Sequence, residues 1–115
     1  MNTRVVGSLQ EDIAISYLKE NGFEILERNF KCKIGEIDVI AKKDNIIRFI
    51  EIKYRKSNVA GGVFHAISQK KLIKISKIAN FYIMINGLTN SMFSIDALLI
   101  ENTEITYLEN IFGGM

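Results

Sequence analysis

At 115 residues, with 48% hydrophobic side chains and a slightly positive mean hydropathy, the chain is long enough to close one core, too short for two domains and too apolar for disorder. A single cysteine, Cys32, excludes an internal disulfide framework and suits a reducing compartment. The net charge of +2 conceals an asymmetry, because residues 28–77 hold 13 of the 15 basic side chains and four of the 13 acids, a net +9 against −7 in the flanks.

No apolar run approaches the roughly 18 residues of a membrane helix, so no membrane partner is expected. The opening Met1-Asn2-Thr3-Arg4 leads into neither an apolar h-region nor a cleavage site, and a cytoplasmic location is expected. From Ile52 to Ile95 there is no acid. Such a basic stretch suits a polyanion, since each Lys or Arg beside a phosphate releases condensed counterions. The plainer reading is a set of lysines that solvate a helix face.

Residues 3–21 carry helical spacing, with Val6, Leu9, Ile13 and Tyr17 on one face and Gly22 where a C-terminal cap belongs. A second stripe runs Gly7, Glu11, Ala14, Leu18, whose small or apolar members place Glu11 against protein rather than bulk water. Residues 23–30 read as a strand, a basic turn follows, and 34–42 and 46–55 read as two more. A second helix is expected over 66–86, N-capped by Ser68 and stopped by Gly87. Its apolar stripe is Leu72, Ile75, Ile78, Ala79 and Tyr82. Lys70, Lys74 and Lys77 form another stripe, with Lys71 beside it. Residues 92–100 make an apolar, interior strand and 104–109 a short last one. The order αβββαββ implies an α/β (α+β) domain over residues 1–115, a mixed sheet of about five strands flanked by helices.

The second and third strands carry the chemistry. Alternation puts Glu36, Asp38 and Ile40 on one face, and Ile47, Phe49, Glu51 and Lys53 on one face of the next strand. A two-residue turn at Asp44-Asn45, types that tolerate positive φ, sets paired positions to sum to 89. Asp38 then faces Glu51, and Glu36 faces Lys53. Directly opposed carboxylates lie about 4.5–5.5 Å apart at Cβ, a repulsive arrangement unless a cation sits between them. Mg²⁺ or Mn²⁺ uses oxygen ligands, takes one or two carboxylates, and leaves the remaining positions to water and phosphate. Lys53, two residues from Glu51, projects to the same side, where its ammonium can stabilise charge on phosphate. This set meets the needs of metal-assisted phosphodiester hydrolysis. On a solvent-facing sheet the same residues would be ordinary surface ion pairs. Against that, apolar residues surround them on this face (Ile40, Ile47, Phe49) and line the opposite one (Ile37, Val39, Ala41, Ile46, Ile50, Ile52). Buried charges need partners or a metal.

The stretch Gly35-Glu36-Ile37-Asp38-Val39-Ile40-Ala41, with Phe49-Ile50-Glu51-Ile52-Lys53-Tyr54-Arg55, closely resembles the signature of the YraN-type family. These are small bacterial proteins with a restriction-endonuclease-like fold, similar to archaeal Holliday-junction resolvases within the PD-(D/E)XK nucleases. The resemblance extends to Gly7, Glu11 and Ala14 of the first helix, Asn29-Phe30, Ile67-Ser68 with Lys71 and Ala79, Ile95-Asp96, and Leu108 to Phe112. It implies Asp38 and Glu51 as metal ligands, the Ile52 carbonyl completing the shell, Lys53 as the catalytic lysine and Glu11 as a further carboxylate directed to the metal. Lys71 matches the basic residue of the family's second helix, where a glutamine commonly follows; here that position is Leu72.

The expected function is a Mg²⁺- or Mn²⁺-dependent endonuclease on DNA, branched or junction DNA included. Phosphate would be held by Arg55, Lys56, Lys70, Lys71, Lys74 and Lys77. The alternative is a nucleic-acid-binding module on a nuclease scaffold without turnover. Symmetric incision of two strands would require a homodimer. The lone His65 excludes a histidine-rich zinc site, Cys32 has no partner for a zinc cluster and no nearby histidine to activate a thiol nucleophile, and Gly61-Gly62 lacks the Lys-Ser/Thr of a P-loop.

Overall fold

A computed structural model describes residues 3–55 and 67–112, with side chains from Leu9 onward. Lys56, Gly61-Gly62 and His65 lie outside the described residues. The elements are α1 (Thr3–Glu20), β1 (Glu24–Lys31), β2 (Glu36–Lys43), β3 (Ile46–Arg55), α2 (Gln69–Ile85), β4 (Met92–Glu101) and β5 (Glu104–Leu108). This is the αβββαββ order expected for a restriction-endonuclease-like core. The five strands form one mixed sheet in the order β1-β2-β3-β4-β5. All neighbours are antiparallel except β3 and β4, which run parallel and are joined through α2.

Local chemistry sets the element ends. Both helices close in the same hydrogen-bond pattern. Phe23 N–H reaches the Leu18 carbonyl at 3.0 Å and Gly22 N–H the Lys19 carbonyl at 3.2 Å; Leu88 N–H and Gly87 N–H repeat this on Ile83 and Met84. The pattern needs a left-handed residue, supplied by Gly22 (φ 86°) and Gly87 (φ 64°). Ser68 starts α2 by accepting from the Lys71 amide at 3.2 Å. Between β2 and β3, Asp44 (φ 56°) and Asn45 (φ 62°) form the two-residue turn that the right-handed strand twist favours. The register that follows pairs Lys43 with Ile46 through Val39 with Ile50, so partners sum to 89 as the loop length required.

Each face of the sheet has its own core. Ile40, Ile47, Phe49 and Ile95 pack with Leu72, Ile75, Ile78, Ala79, Tyr82 and Ile83 of α2. Val39, Ala41, Ile50, Leu98 and Ile100 pack with Ala14, Ile15 and Leu18 of α1. The inward face of α1 is therefore the stripe carrying Ala14 and Leu18, with half-buried Glu11 on it. Leu9 and Ile13 of the other stripe are 53% and 50% exposed. The stripe against protein is the one whose small and apolar members placed Glu11 there, and the small Ala14 lets α1 approach the sheet closely. Cys32 is half-buried against the α2 core.

Candidate metal and phosphate site

Beyond Val39 and Ile50 the β2–β3 ladder stops, and the next residues on the two strands are Asp38 and Glu51. The Ile52 amide, released from backbone pairing, donates instead to Asp38 Oδ2 at 2.9 Å. Glu51 is 2% exposed, on the α2 side of the central strand. Lys71 reaches it from the first turn of α2, with Nζ 3.0 Å from Glu51 Oε2. Glu51 Oε1 is buried and has no hydrogen-bond partner among the described residues. Glu36, Asp38, Glu51, Lys71 and Lys74 line a cleft of about 230 Å³ above apolar side chains of α2. Gly35 lets the entry to β2 close on this helix, since a Cβ there would stand 2.9 Å from Lys74 Cε.

The electrostatics follow from one ammonium serving a buried carboxylate, Glu51, and a half-buried one, Asp38. Burial, then Asp38, pushes the Glu51 carboxyl above its ordinary range, and Lys71 only partly offsets this. Burial also pushes Asp38 up, against the Ile52 amide and Lys71, with Glu11 and Glu36 adding repulsion. Burial alone would lower Lys71, but Glu51 and Asp38 together outweigh it and hold the ammonium charged. Lys53 is lowered, first by burial and then by Lys71 next to it. Shared between two acids, the cation gains from both while each acid gains less than a full partner would give.

The Mg²⁺ or Mn²⁺ expected from the resemblance fits these residues on one observation: Glu51 Oε1 is buried without a donor among the described residues, and a carboxylate oxygen is the ligand type a hard divalent cation takes. Among the described residues, no three Asp, Glu, His or Cys side chains stand close enough to form a ligand set by themselves. Glu11 is turned towards β1, where Asn29 Nδ2 donates to its Oε1 at 2.9 Å and Arg28 lies 3.6 Å away. Asn29 is left-handed (φ 54°) in mid-strand, at the β1 position opposite Asp38 by the register of its neighbours. The family resemblance includes Asn29-Phe30 but gives Asn29 no role, and the residue type signals only tolerance of that conformation.

Of the expected phosphate-binding residues, Lys71 lies in the cleft and Lys74 at its wall. Lys70 and Lys77 are exposed on α2, and half-buried Arg55 ends β3 on the Glu51 side by alternation. Sequence reasoning missed a second buried acid. Asp96 is fully buried on the α1 side, taking hydrogen bonds from the Tyr107 hydroxyl and, at 2.8 Å, the Asn110 amide. Arg48 Nη1 is 3.5 Å from Asp96 and 3.3 Å from Ser94 Oγ.

The model of Uncharacterised protein family UPF0102 matches residues 10–100. A UPF0102 protein of Campylobacter jejuni subsp. doylei is 50% identical over 105 residues, 91% of either chain. One from Fusobacterium nucleatum is 40% identical over 114 residues, 99% of this chain and 96% of its own. One from Helicobacter hepaticus is 43% identical over 111 residues, 96% and 97%.

Proposed function

The chain belongs to the uncharacterised family UPF0102, and we propose that it is a metal-dependent endonuclease that hydrolyses DNA phosphodiester bonds. The observation that carries this reading is the unpartnered, buried Glu51 Oε1 beside Asp38. Asp38 and Glu51 would hold Mg²⁺ or Mn²⁺, with the Ile52 carbonyl and Glu11 as further candidates. Bound there, the metal would polarise a phosphoryl oxygen and lower the pKa of water. Lys53, with its pKa lowered, offers a partly desolvated ammonium to the charge that builds on phosphate. Asp38, fixed by the Ile52 amide, keeps one oxygen held and one free. Lys70, Lys74 and Lys77 on α2, with Arg55 and Lys56 after Lys53, would carry the flanking phosphates. A homodimer in the cytoplasm is the arrangement that would cut both strands of duplex or branched DNA.

Incubation of supercoiled, linear and four-way-junction DNA with Mg²⁺ or Mn²⁺ tests this. Cleavage is expected, reduced about 100-fold or more by Asp38→Ala or Lys53→Ala. No cleavage, or cleavage indifferent to both changes, defeats it. One observation favours a binding module without turnover: Glu11 is engaged by Asn29 and Arg28, and no three-ligand cluster forms among the described residues. That module would bind DNA in a salt-dependent way and survive Glu51→Ala, and calorimetry would find no Asp38-dependent Mn²⁺ binding.

A further inference from the structure

The expected place for Lys71 was in a row of phosphate contacts, yet its Nζ lies 3.0 Å from Glu51 Oε2, inside the cleft. Its side chain remains 41% exposed, so a route to solvent is open. Ser68 fixes the helix start through the Lys71 amide, which leaves the four-carbon stem as the part free to move. A divalent cation on Glu51 Oε1 would stand a few ångströms from this ammonium in a desolvated cleft, where like charges repel strongly. Metal and ammonium therefore compete for one carboxylate. Displaced by a metal, the ammonium would swing out towards solvent on the side of Lys74, which lines the same cleft and would share a phosphate with it.

We infer that Lys71 is an internal counter-ion that couples the two ligands: it occupies Glu51 when the cleft is empty and transfers to DNA phosphate when a metal enters. This rests on the nuclease reading above. DNA draws Lys71 off Glu51 and tightens the metal, and by reciprocity the metal tightens DNA. Without DNA, the ammonium keeps the two acids from loading metal.

The test measures Mn²⁺ affinity by calorimetry, for the full chain alone and with a phosphorothioate duplex that resists cleavage. Lys71→Met should bind Mn²⁺ at least about fivefold tighter than the wild type without DNA. Adding the duplex should tighten the wild type at least about fivefold more than it tightens Lys71→Met, whose remaining gain comes from the contact of phosphate with the metal itself. Lys74→Met removes the same charge from the same cleft without an ion pair to either carboxylate, and should shift affinity less than about twofold. Lys71→Gln serves if Lys71→Met does not fold. Wild-type Mn²⁺ binding that neither Lys71 variant tightens overturns the coupling and leaves the nuclease reading standing. Lys74→Met matching Lys71→Met overturns it too, since the general field would then be the cause. No Mn²⁺ binding by wild type or variants removes both.

Discussion

Glu51 and Asp96 lie one step apart in the β3–β4 ladder and on opposite faces of the sheet. Both are almost fully enclosed. Around Asp96 every carboxylate oxygen is served, one by the Tyr107 hydroxyl and Arg48, the other by the Asn110 amide, and the atom left without a partner among the described residues is Arg48 Nε, on the cation. Around Glu51 one oxygen has a lysine shared with Asp38, and the other makes no hydrogen bond among the described residues, with the Asp38 amide the one further donor that favours the charged carboxylate. A buried charge with its partners built in ties strands together; one left short is ready for a ligand from outside. The first centre joins β3, β4, β5 and the residues after β5, and the second opens to a cleft.

The comparison predicts opposite responses to removing each acid. Asp96→Ala leaves Arg48, itself 4% exposed, without its main counter-charge. It should cost about 3–5 kcal/mol in urea denaturation, the usual loss when one member of a buried pair is deleted. A loss below about 1 kcal/mol would mean that water serves Arg48 and that the two centres are not different in kind. Tyr107→Phe should cost about 1–3 kcal/mol by leaving an Asp96 lone pair without its hydroxyl donor. Burial, and then Asp96, pushes the Tyr107 hydroxyl far above its ordinary value of 10. The folded state therefore keeps a proton that the unfolded chain releases. Stability from this group is complete below pH 10 and should fall above it by up to about 1.4 kcal/mol per pH unit. Denaturation at pH 9 and 10.5 should show the decline in the wild type and a shallower one in Tyr107→Phe.

Glu51→Gln should move the other way and stabilise the metal-free protein by about 1 kcal/mol at pH 7. The carboxyl titrates above its ordinary 4.5 because of burial and Asp38. Between that value and its raised one the native state binds more protons than the unfolded chain, so wild-type stability falls as pH rises through the window. Urea midpoints from pH 4.5 to 7.5 should show a flatter profile in Glu51→Gln. A destabilised Gln variant at pH 7 would mean that the Lys71 pair outweighs desolvation, and Glu51 would then resemble Asp96.

Which of these centres could be read from sequence depended on whether its partners were local. The Asp38–Glu51 pair rested on alternation and on a two-residue turn, and both are short-range: Asp44 and Asn45 took the left-handed conformation and fixed the register. Gly22, Ser68 and Gly87 marked helix ends for the same reason. Lys71 could be placed on the right helix, but which lysine of four turns inward depends on how α2 sits on the sheet. Asp96 looked like one polar residue in an apolar strand, because its partners Arg48, Tyr107 and Asn110 come from other elements. On α1 the spacing gave two stripes, and the one read as lying against protein, with Ala14 and Leu18, is the one packed on the sheet, while Leu9 and Ile13 are exposed.

The smallest predicted effect separates burial from crowding as the cause of the strain at Glu51. Glu36 lines the same cleft and repels Asp38, but its own side chain is 43% exposed and its partner Lys31 is 75% exposed. An exposed pair at 3.7 Å contributes little, since water screens it and two long side chains must be ordered to make it. Glu36→Gln should therefore change stability by no more than about 0.5 kcal/mol at pH 7, within the range for surface substitutions. It still removes one negative charge near Asp38, so the Asp38 carboxyl should titrate lower in the variant, a shift that carbon-detected NMR of the carboxylate would follow. If Glu36→Gln stabilised the chain as much as Glu51→Gln, the accumulated negative charge of the cleft would be responsible. The contrast with Asp96 would then be one of charge density, because Asp96 faces Arg48 while Asp38 and Glu51 share Lys71 with Glu36 adding a third negative charge beside Asp38. A near-neutral Glu36→Gln beside a stabilising Glu51→Gln leaves desolvation of a single unpartnered oxygen as the cost, and that oxygen as the place where a cation would relieve it.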